Sequence, residues 1–200
     1  QFYIGGPASS ASSNFVLAET QNSIPFAIDN WYNIIGTFDG TTAKIYVNGV
    51  LGGSGTATSG TINSTTSPNQ IGKFSSTLIN GYVSNTAFWV DTVLNQDDIL
   101  NIYNNGVSQD LSNFRITPTN WFPLDQSYIY YNGSVIVARD AISGIELDGV
   151  NLIQENIVGN SPSSEANGVG SNLTIADLKG NMYNSDKNAY SINMADYADS

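Results

Sequence analysis

The chain contains no cysteine and no histidine, and only six of its 200 residues are Lys or Arg. Without cysteine there is no disulfide and no thiolate metal site, and nothing about the redox compartment follows. Without histidine, the Ser-His and Cys-His catalytic pairs and most zinc sites are excluded. The six cations, Lys44, Lys73, Arg115, Arg139, Lys179 and Lys187, stand against seventeen acids, for a net charge of −11. Affinity for nucleic acid rests on Lys and Arg neutralising phosphates, so the balance argues against nucleic acid and against an anionic membrane as partners. No apolar run reaches the roughly 20 residues that a membrane-spanning helix needs, so membrane insertion is not expected. The chain opens at Gln1 with neither Met nor a signal pattern, which reads as a fragment or a processed product.

What is present points to a β protein. Apolar residues make up 40% of the chain, enough for a packed core, while only 12% is charged. Surfaces rich in Asn, Ser, Thr and Gly rely on neutral hydrogen bonds more than on ion pairs. The length suits one sizeable β-sandwich, or one compact domain with an extended arm. In Trp31–Gly49, two β-rich runs are separated by Asp39-Gly40 and closed by Asn48-Gly49. Both dipeptides accept the positive φ that tight hairpin turns need. Alternation over 43–48 puts Ala43, Ile45 and Val47 on one face and Lys44, Tyr46 and Asn48 on the other.

Further strands are expected at 1–6, 70–74 and 81–90, with short apolar pieces at 15–17 and 24–28. The run Phe88-Trp89-Val90 reads as buried on both faces, and Trp31 and Trp89 as core. The Gly-, Ser- and Thr-rich segment 52–67 is a long loop or weak edge strand. At Asn95 the period changes to that of a helix: Asn95 is the N-cap, Asp97 and Asp98 lie in the first turn, and Ile99, Ile102 and Tyr103 recur on one face. Asn105-Gly106 ends it. Beyond, a hairpin is expected over 128–138 around Asn132-Gly133, with strands at 144–150 and 152–158. Residues 160–171 read as a linker, 173–178 as a short strand or helical turn, and 181–200 as an extended arm ordered only by a partner.

The run from Trp31 through Asp39-Gly40 to Ile45-Tyr46-Val47-Asn48-Gly49 resembles the laminin-G-like jelly rolls of the concanavalin-A-like lectin/glucanase superfamily. Gln70-Ile71-Gly72, Asn80-Gly81-Tyr82-Val83 and the Leu94–Tyr103 helix with Gly106 follow in the order found in that family. Trp121-Phe122-Pro123-Leu124-Asp125 resembles the opening of a laminin-G-like segment, with Gln126 where an acid is usual, and Asp140–Gly144 resembles its D-xx-G strand entry. Segments 155–162, 177–182 and 190–197 look like tail segments of virion structural proteins in marine tailed bacteriophages, especially cyanophages. The family's opening strands are missing ahead of Gln1. Either the chain is the C-terminal part of a longer protein, the preferred reading, or Trp121 onward supplies those strands in permuted order.

The resemblance implies an all-β antiparallel jelly-roll β-sandwich with one short helix and an extended C-terminal region. Residues 1–107 would form the laminin-G-like domain without its N-terminal strands, 108–159 a second β segment packing on or continuing the sandwich, and 160–200 the linker and arm. It also implies a non-enzymatic virion structural protein, either tail fibre or head decoration, displayed on the particle surface. Its expected partners are other virion subunits, including its own copies in a homo-oligomer, and host-surface glycans. A secreted or cell-surface bacterial adhesin domain of the same fold is the alternative, and a glycoside hydrolase ranks third.

Three sets of residues carry candidate chemistry. Glu146-Leu147-Asp148-Gly149-Val150 falls one acid short of the E-x-D-x-E strand of related β-glucanases, because Val150 stands where the third acid belongs. No catalytic residue is therefore assigned. Asp97-Asp98 could ligate calcium, the one cofactor the family leaves open, although the first turn of a helix favours acids for its own reasons. Asp39 reads as turn chemistry, and no metal ligand is assigned. Tyr128, Tyr130 and Tyr131 are the candidate glycan-binding residues: flat rings pack against sugar faces while their hydroxyls hydrogen-bond. Tyr128 and Tyr130 would share one strand face and Tyr131 the other, at least one of these faces being core.

Overall fold

The computed structural model describes residues 2–5, 15–19, 26–56, 70–74, 77–125, 127–158, 162 and 191–193. Among them every strand pairing is antiparallel and there is a single α-helix, as the sequence predicts. The chain divides into two compact units: residues 1–68 with 91–106, and residues 69–90 with 107–200.

In the first unit, β1 (Phe2–Gly5) pairs with β2 (Phe15–Ala18). A second sheet has the order β3 (Ile34–Phe38), β4 (Thr42–Val47) and β5 (Val50–Thr56). Its two hairpins form where the dipeptides predict. Phe38 pairs with Ala43 across Asp39-Gly40, and Asp39 Oδ1 accepts from the Thr41 and Thr42 N–H groups at 2.9 and 2.6 Å. Asn48 and Gly49 take φ of 50° and 77° and bring Val47 opposite Val50. Ala43 and Ile45 pack with Ala18 and Phe38 in a small core. Tyr46, expected on the open face, is instead 6% exposed. Its cross-strand neighbour Ile35 is buried too, so both faces of this sheet are covered. Where the chain leaves β2 it runs hard against β5: a Cβ on Gly53 would lie 1.8 Å from the Glu19 carbonyl oxygen.

The helix α1 (Gln96–Tyr103) starts as predicted. Asn95 Oδ1 accepts from the Asp98 N–H and Asp98 Oδ2 from the Asn95 N–H, both at 3.0 Å, a reciprocal capping box. Ile99 and Ile102 are buried. The helix ends through left-handed Asn104 and Asn105 followed by Gly106 at φ +88°. Gln96 Nε2 donates to the Gly49 carbonyl at 2.9 Å, and a Cβ on Gly49 would sit 2.9 Å from Leu100 Cδ2. Glycine at 49 therefore serves both the turn and the close helix contact.

The second unit is built of shorter strands. β6 (Lys73–Phe74) pairs with β7 (Thr77–Leu78). The single strand expected over 81–90 is two, β8 (Tyr82–Val83) and β9 (Thr86–Phe88), broken at Asn85 with φ 50°. β9 pairs with β10 (Asn120–Phe122), which carries Trp121. Phe88 and Val90 are exposed and Trp89 is half-buried, against the expectation of burial on both faces. The reason is that, among the described residues, β9 pairs with β10 alone in a two-stranded ribbon. Trp31 is likewise half-buried; the tryptophan that enters the core is Trp121, at 6% exposure.

The expected hairpin is present as β11 (Ile129–Tyr131) and β12 (Ile136–Arg139), extended by β13 (Glu146–Asp148) into a three-stranded sheet. Only part of 152–158 is extended, because Gln154–Asn156 forms a 3₁₀ turn in which Asn156 Oδ1 accepts from the Ile153 N–H at 2.8 Å. β14 (Ile157–Val158) follows. Ser191–Asn193 forms β15 between β14 and β8, so this piece of the expected arm finds its partners within the chain. The main core of the unit is Phe122, Leu124, Ile129, Ile136, Ala138 and Ile157. The rest of the predicted linker and arm, Pro162 aside, and the readings for 24–25 and 57–67, lie outside the described residues.

Candidate functional site

The site grows from the sheet β11-β12-β13. Its register pairs Ile129 with Ala138 and Ala138 with Leu147, which places these residues on the core face. The opposite face then carries Tyr130, Val137 and Asp148 in one row, and Arg139 and Glu146 in the next. Tyr128 precedes β11, but its carbonyl accepts from the Arg139 N–H at 2.7 Å, so it continues this second row. Tyr128 and Tyr130 thus share a face with Arg139, Glu146 and Asp148.

Beside the Tyr128 end lies a recess of about 330 Å³ lined by Ser127, Tyr128, Arg139 and the turn Asp140–Gly144. That turn is held by one carboxylate. Asp140 Oδ1 accepts from the N–H groups of Trp121 at 3.0 Å, Ile142 at 2.8 Å and Ser143 at 3.2 Å. Its Oδ2 accepts from the Ser143 hydroxyl at 2.7 Å and from the Asn120 side-chain amide. The Ala141 N–H returns to the Trp121 carbonyl at 2.7 Å. The Trp121 segment and the D-xx-G stretch, read in the sequence as the opening and a strand entry of one segment, are joined in one hydrogen-bonded assembly, and the second is a turn. Burial by itself would raise the Asp140 pKa, yet these donors outweigh it and hold it at about 2. Trp121 is fixed further by its indole N–H, which donates to Asn85 Oδ1 at 2.6 Å.

The three predicted tyrosines separate. Tyr128 is half-buried, with its ring 6.4 Å from that of Trp121, and it lines the recess. Burial, then the nearby Asp125 charge, raises its pKa. Burial also pushes the Asp125 carboxyl upward, opposed by the Ser127 N–H bound to it at 2.8 Å. Tyr130 donates its hydroxyl to Glu146 Oε1 at 2.6 Å, which raises the phenol's pKa. Tyr131 points to the other side, packs against the main core and donates to the Gly133 carbonyl at 2.8 Å. The recess also contains a residue the sequence reading passed over, Arg139. Its signal was available: it is one of six cations and directly precedes the D-xx-G turn.

Glu146 and Asp148 sit exposed on one face of β13, while Val150 lies beyond the strand and is 78% exposed. Asp98 is buried in the helix cap. Among the described residues no three acidic side chains gather as a metal-binding group would require.

Residues 2–100 fit the laminin-G family model described as the concanavalin A-like lectin/glucanases superfamily. No curated protein and no solved structure matches the chain. The antiparallel strands, the single short helix and this match agree with a concanavalin A-like β-sandwich. Residues 2–100 are thus a laminin-G-like domain of the concanavalin A-like lectin/glucanase superfamily.

Proposed function

We propose that the chain is a non-enzymatic structural protein of a viral particle that presents a lectin-like surface to host glycans. The observation that carries the glycan reading is the laminin-G-like domain, since its superfamily includes proteins that bind carbohydrate. The surface of β11-β12-β13 supplies suitable chemistry: Tyr128 offers ring area beside a small recess, and Arg139, Glu146 and Asp148 are exposed on the same face. Sugar recognition commonly combines such ring faces with charged hydrogen-bonding groups. The non-enzymatic reading is supported by Val150, which stands where the third acid of an E-x-D-x-E pattern would follow Glu146 and Asp148. The virion setting rests on the phage-like segments 155–162, 177–182 and 190–197. In that setting the partners are other particle subunits and further copies of the chain, and no cofactor is needed.

Two measurements test this. Purified particles analysed by mass spectrometry should contain the chain in fixed proportion to the major capsid protein; its recovery only from bacterial envelopes would favour the adhesin reading. The purified chain should bind glycans on an array without cleaving them. Hydrolysis of a β-glucan panel that disappears in Glu146→Gln would overturn the non-enzymatic assignment.

A further inference from the structure

Three polar groups around the recess have no partner among the described residues. The Arg139 guanidinium, the Tyr128 hydroxyl and the Ser127 hydroxyl make no hydrogen bond or ion pair among the described residues. Among the described residues no carboxylate pairs with the guanidinium, which is unexpected in a chain with seventeen acids and six cations. It is more unexpected here, because two carboxylates are close in register or sequence and neither takes it. Glu146 stands directly across from Arg139 but accepts the Tyr130 hydroxyl. Asp140 is the next residue, but it is 1% exposed and its oxygens are occupied by five donors. The guanidinium instead lies alongside Gly144, where a Cβ would be 3.6 Å from Nη2, and no side chain covers it from that residue.

The net charge of −11 works against polyanions as a class, but a single guanidinium is still the side chain best matched to a single carboxylate, through two parallel N–H···O bonds. At about 330 Å³ the recess lies near the lower end of the roughly 300–1,000 Å³ typical of ligand pockets, room enough for one sugar ring. We propose that this recess binds the uronate ring of an acidic glycan, with Arg139 holding the carboxylate, the Tyr128 ring against the sugar and the Ser127 hydroxyl free for a ring hydroxyl. The assignment rests on the glycan-binding reading above and names the class of glycan.

Calorimetric titration of the full chain tests it, using oligogalacturonate and oligoalginate, their methyl esters, and neutral β-glucan oligomers. At least one of the two acids should bind, and its methyl ester should bind at least about tenfold more weakly, because esterification removes the charge and leaves the ring. Arg139→Gln should lose a similar factor and Arg139→Lys should recover part of it. The ester comparison uses the unaltered protein and stays decisive if a variant misfolds. Equal binding of acid and ester, or an unchanged affinity in a folded Arg139→Gln protein, would overturn the proposal. Binding of neutral oligomers without uronates overturns the acidic assignment and leaves the glycan reading standing, whereas no binding in either set removes both.

Discussion

The two units solve the same problem, holding short antiparallel strands, by different means. In the first, sequence neighbours do the work. Asp39-Gly40 and Asn48-Gly49 set the register of β3-β4-β5, and Asn95 with Asp98 starts the helix, each device spanning only a few residues. In the second, strands of two to four residues are tied by side chains reaching across the sequence. Asp140 gathers Asn120, Trp121, Ile142 and Ser143, and Asn85 takes the Trp121 indole. Local turn chemistry tolerates solvent because the groups it joins are already adjacent. A buried hub is more exacting, since losing the acceptor leaves several donors without a partner.

That contrast can be broken at its strongest point first. Trp121→Ala should cost about 3–5 kcal/mol in urea denaturation, the range for deleting a buried aromatic side chain; a loss under about 1 kcal/mol would mean that Trp121 does not anchor its unit. Asp140→Asn comes next. The carboxylate is held near pH 2 from an ordinary 3.8, so its folded pKa is depressed. Its stabilisation, on the order of 2 kcal/mol, is fully present above the unfolded value and lost as pH falls through the folded one. The gap in stability between wild type and variant should therefore be widest at pH 5 and close towards pH 2. Asp39→Asn, by contrast, alters an exposed turn whose backbone geometry Gly40 still allows, and should cost less than Asp140→Asn at every pH above 4. A reversed order would refute the distinction between the units.

Two smaller changes sharpen it. Gly49→Ala combines a left-handed φ with a close approach to Leu100 and should cost about 1–2 kcal/mol, read from the shift in denaturation midpoint. Asn95→Ala removes the helix cap and should cost about 1 kcal/mol, with faster amide exchange at the start of α1 than in the rest of the helix.

The same contrast explains what the sequence revealed. The β3-β4 hairpin, the Asn95 cap and the β11-β12 hairpin were legible because the residues that define them lie within a few positions of one another. The tryptophans were not. Phe88-Trp89-Val90 reads as a buried run, yet an apolar stretch has no period of its own, and only the partnering of β9 in a two-stranded ribbon decides that Phe88 and Val90 face outwards. Tyr46 was misplaced for a related reason: alternation predicts one covered face, and here both are covered. For the candidate site, Tyr128 and Tyr130 were visible as neighbours on a strand face, and Glu146 as part of an acid pattern one member short. That Tyr130 would take up Glu146 and leave Arg139 uncommitted depends on the β12-β13 register, which no local pattern in the sequence encodes.

The insertion of β15 between β14 and β8 has a consequence for biosynthesis. Val83 leaves the ribosome long before Ile192, its partner in that sheet, has been translated. Through that interval the nascent polypeptide carries an unfinished sheet whose exposed backbone is open to stray pairing with other chains. Such a distant contact is slow to close once its second strand arrives. Pausing of translation, or a chaperone acting late in elongation, should therefore influence the yield of this protein more than events at its first hairpins.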